Sequence, residues 1–135
     1  MANDLAHLDD LVEGQNCGAE CTIVHPVTDE PMPDLVFIVA GPDSDVARRA
    51  RLKMFDDLGL YEGRPSAEER ERLAIEHLAR LVVGWRVKRD GKDIDFSFTN
   101  VVRELRRHRF IFEQVERFAA DRRPYFASTP FGEVE

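Results

Sequence analysis

Six consecutive apolar residues, Leu35-Val36-Phe37-Ile38-Val39-Ala40, close on Gly41-Pro42 and constrain the fold of this chain more than any other segment. Their β-branched and aromatic content reads as a strand, and the lack of polar alternation implies that helices or a partner cover both faces. Upstream, Cys21 to His25 has the same character. The proline-laden polar stretch PVTDEPMPD between the two runs reverses the chain. The pair predicts a β-hairpin that must find helices to lie against.

Those helices are signalled downstream. Asp43, Ser44 or Asp45 can cap a helix that runs to about Leu58 and stops at Gly59. Val46, Ala50, Phe55 and Leu58 are expected in its core face, and Arg48, Arg49, Arg51 and Lys53 in solvent. Ser66 and Glu69 form a capping box, and the helix they open has an inward stripe read as Ala74, Leu78, Leu81, Val82 and Trp85. Asp90-Gly91 predicts a short second hairpin between Arg86–Lys88 and Ile94–Phe96. Ser97 or Thr99 caps a further helix, with Val101, Val102 and Leu105 inward and Arg103, Arg106 and Arg107 outward. A last helix spans about Phe110 to Arg122, burying Ile111, Val115, Phe118 and Ala119 and ending before Pro124.

The expected fold class is therefore α+β, mainly α: an N-terminal β-hairpin packed on about four helices, with a short second hairpin between the helices. A length of 135 residues suits one domain. It divides into an acidic, partly mobile arm over residues 1–19, a single α+β domain over 20–126 and a flexible tail over 127–135.

Charge narrows the functional classes. Residues 1–45 hold ten acidic and no basic side chains, a balance of −10, and the remainder carries +3. Such an acidic leading third disfavours non-specific binding to nucleic acid, which needs excess positive charge. No apolar run reaches the roughly 20 residues that cross a bilayer, and the first residues lack a signal-peptide profile, so a cytoplasmic protein is expected. Cys17 and Cys21 lie four apart with no second ligand pair for zinc, and His7, His25, His77 and His108 are scattered. The Gly41-Pro42-Asp43-Ser44 turn has one glycine and no lysine, which fits a helix cap better than a phosphate loop. No catalytic, cofactor-binding or metal-binding residue is therefore expected, and an enzyme is not.

What remains is a binding surface. Arg103, Arg106, Arg107 and Arg109 cluster on one helix, although Glu104 interrupts them and Glu113 and Glu116 follow, so a solvated, ion-paired face is expected; a partner carrying acidic residues could also use it. The aromatic residues Trp85, Phe96, Phe98, Phe110, Phe112, Phe118, Tyr125 and Phe126 exceed what one inner stripe absorbs. Phe112 in particular is either a second core contact or an exposed anchor. Trp85, Phe112, Phe118, Arg103 and Arg107 are the candidate partner-binding residues.

Five segments, in order, resemble the tail assembly chaperones of tailed bacteriophages and prophages. They are Pro26-Val27-Thr28-Asp29-Glu30-Pro31; Val39-Ala40-Gly41-Pro42-Asp43-Ser44-Asp45 ahead of Arg48-Arg49; Leu81-Val82-Val83-Gly84-Trp85; Phe96-Ser97 with Asn100; and Ile111-Phe112-Glu113-Gln114-Val115 with Phe118-Ala119-Ala120-Asp121-Arg122. The likeness spans roughly residues 20 to 126. The chain departs from it at Asp29, at Phe98-Thr99 and at Phe110.

The resemblance implies a protein of the host bacterial cytoplasm that binds the long, helical tape measure protein and keeps it soluble while tail tube subunits assemble. It also implies absence from the finished virion. Contact with the tail tube protein would come through a frameshifted extension joined in the tail Phe126 to Glu135, with homo-oligomerisation left open. A minor structural virion protein at the head-tail joint and, less favoured, a small DNA-binding phage regulator acting through the Arg103–Arg109 helix are the alternatives.

Overall fold

A computed structural model describes residues 4–126. Its elements are α1 (Leu5–Cys17), β1 (Ala19–Val24), β2 (Pro31–Val39), α2 (Asp45–Leu58), α3 (Ala67–Leu81), β3 (Val82–Arg89), β4 (Lys92–Asp93), α4 (Phe98–Arg107), α5 (Arg109–Ala119) and α6 (Arg123–Phe126). The class is α+β with more helix than strand. The two expected hairpins merge into one antiparallel sheet of order β1-β2-β3-β4, although the second arm of the later hairpin is Lys92–Asp93 and not the expected Ile94–Phe96. Asp90 and Gly91 join the last two strands with φ of 54° and 77°, both in the left-handed region that a tight primed turn requires.

Register explains the core. Cys21 and Trp85 lie directly opposite Phe37, and Val87 opposite Leu35, so these side chains share one face. Phe37 is fully buried and meets the Trp85 ring edge-on at 5.5 Å. Ala47, Ala50, Ile75, Leu78, Val101, Leu105, Ile111, Phe112 and Val115 close over this face from the helices. On the opposite face Glu20, Thr22 and Arg86 are exposed. There the Arg86 guanidinium reaches across β2 and donates to both Glu20 carboxylate oxygens, at 3.0 and 3.2 Å. This ion pair spans the second face of the apolar strand, the face for which a covering helix layer or partner was expected.

Three further expectations are corrected. Within the stretch expected as a partly mobile arm, residues 5–17 form a helix, with Asp4 as cap and Leu11 and Gln15 buried. It docks through polar groups: the Gln15 side chain accepts from the Asp43 N–H at 2.7 Å, and Asn16 accepts from the Asp45 N–H at 2.7 Å. Trp85 and Val82 belong to β3 and not to the preceding helix, because α3 ends at Leu81 where β-branched Val82-Val83 takes over. On α2 only Ala47 and Ala50 are buried, whereas Phe55 and Leu58 are exposed, so that face of α2 turns away from the core.

The capping box of Ser66 and Glu69 is present, and Ser44 and Ser97 are the caps of α2 and α4. The short α6 extends the helical content past the expected stop at Pro124. The expected flexible tail over 127–135 lies outside the described residues. Among the described residues no helix is long and apolar enough to cross a membrane.

One contact between α5 and the sheet edge stands apart. The Gln114 side-chain amide accepts from the Val24 N–H and donates to the Val24 carbonyl, both at 2.9 Å. It therefore satisfies an outward-facing pair of peptide groups on β1.

Candidate protein-binding surface

Position along α4 sorts its side chains into two faces. Val101, Glu104 and Leu105 point inward, and Phe98, Thr99, Val102, Arg103, Arg106 and Arg107 line a hollow of about 400 Å³ together with Glu76 of α3. Glu104 therefore does not interrupt the arginine face, as its sequence position suggested. Only 5% exposed, it accepts two hydrogen bonds from Arg89, at 2.9 and 2.8 Å, and lies 3.4 Å from His108. An inward carboxylate needs such a partner, since an unpaired buried charge is costly.

The arginines are correspondingly available. Arg103 donates to the Asn100 side chain at 2.9 Å, and Arg106 and Arg107 have no ion-pair partner among the described residues. Of the expected ion-paired face, only Arg109 is paired, with Glu113 at 3.5 Å. Phe98 is 43% exposed and supplies an apolar wall, over which the Arg80 guanidinium sits 5.2 Å from the ring centre. A second hollow between α2 and α3, holding Leu60, Tyr61, Arg72 and Arg80, shares Glu76 with the first. The two form one furrowed surface on either side of α3.

The five candidate residues do not converge. Arg103 and Arg107 line the α4 hollow. Trp85 is core: its indole N–H donates to the Ile94 carbonyl at 2.8 Å and its ring packs between Phe37 and Phe96. Phe112, only 4% exposed, is the second core contact and not an exposed anchor, covered on one side by the Arg109 guanidinium 4.6 Å from its ring centre. Phe118 is half-buried against Tyr125 on another part of the molecule. The sequence placed Phe55 in the core and left Leu52 unassigned, whereas the two are 57% and 44% exposed on α2. Their three-residue spacing in line with Arg48 was the available signal.

Perturbed titrations report structure here. Burial pushes the Cys21 thiol up to about 11 and the Tyr125 phenol up to about 12, and the Tyr125 hydroxyl donates to the Val39 carbonyl. Burial holds His77 below its ordinary range, beside the Ala50 carbonyl. A hydrogen bond from Arg122 holds Asp43 low. No cluster of three or more His, Cys, Asp or Glu side chains able to hold a metal ion occurs among the described residues. The chain matches no protein-family model, no curated protein and no solved structure with which it was compared.

Proposed function

We propose that this protein is a tail assembly chaperone of a tailed bacteriophage or prophage, and that its α3–α4 hollow holds an acidic amphipathic segment of the helical tape measure protein. The carrying observation is the arginine face of α4. Among the described residues Arg103, Arg106 and Arg107 stand without carboxylate partners beside the exposed ring of Phe98 and half-buried Val102, so the surface offers both an apolar seat and a charge to be matched. The sequence resemblance supplies the identity of that partner, and the acidic balance of the first 45 residues keeps the complex soluble. The host cytoplasm is the compartment this role requires.

Co-expression with a candidate tape measure protein tests the reading. The wild type should keep that protein soluble and co-purify with it. The combined variant Arg103→Glu, Arg106→Glu, Arg107→Glu should lose capture while melting at an unchanged temperature, because all three side chains are exposed. Unchanged capture would overturn the assignment of the surface. Detection of the protein by mass spectrometry in purified particles would overturn the chaperone role in favour of a structural one.

A further inference from the structure

On the outer side of α2, Arg48, Leu52, Phe55 and Gly59 follow one another at helical spacing, with Arg49 and Asp56 beside them; all are exposed. The helix sends only Ala47 and Ala50 into the core, leaving Leu52 and Phe55 as an apolar centre on this face, with Arg48 and Arg49 on its N-terminal side and Asp56 on its C-terminal side. Among the described residues Arg48, Arg49 and Asp56 have no ion-pair partner.

This charge order is self-complementary about Leu52. Arg48 lies four residues before it and Asp56 four residues after it. We infer that α2 pairs with the α2 of a second copy of this chain, antiparallel about a twofold axis at Leu52. In that register each Arg48 meets the Asp56 of the other copy, each Phe55 meets an Arg49, and the two Leu52 side chains meet at the axis. A parallel arrangement would instead set Arg48 against Arg48 and Asp56 against Asp56. Gly59, without a side chain, leaves room for the opposing N-terminal turn at Asp45.

A helix of 14 residues is about 21 Å long, and one helix pair lies at the low end of specific interface sizes. The dimer is therefore reversible and concentration-dependent, and its ion pairs make it sensitive to salt. The inference is independent of the tape measure reading, since the α4 hollow is a separate face.

Sedimentation equilibrium over a concentration series at low salt tests it. The wild type should rise from 15.5 kDa towards twice that mass. Arg48→Asp and Asp56→Arg should each remain at monomer mass, because each opposes like charges across the axis. An equimolar mixture of the two should recover dimer mass, since every facing pair is then opposite in sign, and the double variant should recover it alone. That rescue separates lost pairing from lost folding. A wild type that stays monomeric throughout, single variants that associate as the wild type does, or a mixture that fails to recover would each overturn the inference.

Discussion

Glu104 and Arg107 lie three residues apart on α4 and face different surroundings, one buried against Arg89 and the other open to solvent. Sequence spacing assigns such faces only when the apolar partners fix the helix phase, and here Val101 and Leu105 did so for the arginines while leaving the glutamate unplaced. Phe112 posed the same question. Its neighbour Ile111 was legible as core, but an adjacent residue on a helix joins the core only when a second element reaches it, which no local pattern reveals. Phe112→Ala should therefore act on stability, lowering the unfolding free energy by about 3–5 kcal/mol through the cavity it leaves. Chemical denaturation measures this directly. A loss below the range of a surface substitution would contradict the burial.

At the level of elements, legibility followed the kind of contact that holds each one. The capping box of α3 and the Asp-Gly turn are local chemistry and were readable from a few residues. The hairpin of β1 and β2 was readable from its apolar content, and Arg86–Lys88 of the third strand from the Asp-Gly turn, but the start of that strand was not, because Val82 to Trp85 also continues the helical spacing of α3. Least visible was α1, whose sequence carries little apolar periodicity because it docks through amide side chains. Its anchorage depends on Gly41, whose N–H donates to the Gln15 carbonyl at 3.0 Å. A Cβ at Gly41 would fall 2.4 to 2.7 Å from the Gln15 side chain, including its Cβ. Gly41→Ala should thus displace Gln15 and cost about 1–3 kcal/mol by overpacking. The helical circular dichroism should fall by the contribution of α1 if that element detaches, and an unaltered denaturation midpoint would show that Gln15 can yield.

For the molecule as a whole, the titrating groups predict stability that falls at both ends of the pH scale. His77 is held below its ordinary value of 6.5 by burial, so the unfolded chain binds its proton first and stability declines as pH drops below 6.5. Asp43, stabilised by the hydrogen bond from Arg122, adds a separate loss only below its ordinary value of 3.8. On the alkaline side the folded state keeps the Cys21 and Tyr125 protons past their ordinary values of 9.0 and 10.0, so stability declines as pH rises towards 11 and 12. His77→Gln should flatten the first acidic decline and leave the others in place, as read from urea midpoints across pH. A profile that the substitution does not change would assign that decline to other groups. The proposed binding surface was the least legible part at this scale. The sequence marks residues able to bind, but only the packing of α3 between α2 and α4 decides which of them are left outside.

The Gln114 amide on Val24 has a consequence for how copies of this chain can assemble. A sheet grows by recruiting another backbone at its open margin, and here a side chain from the same molecule already occupies hydrogen-bonding groups that an incoming strand would need. Strand-by-strand polymerisation along β1 is thereby obstructed. The self-association proposed through α2 would then be left to side chains, where dilution or salt can reverse it.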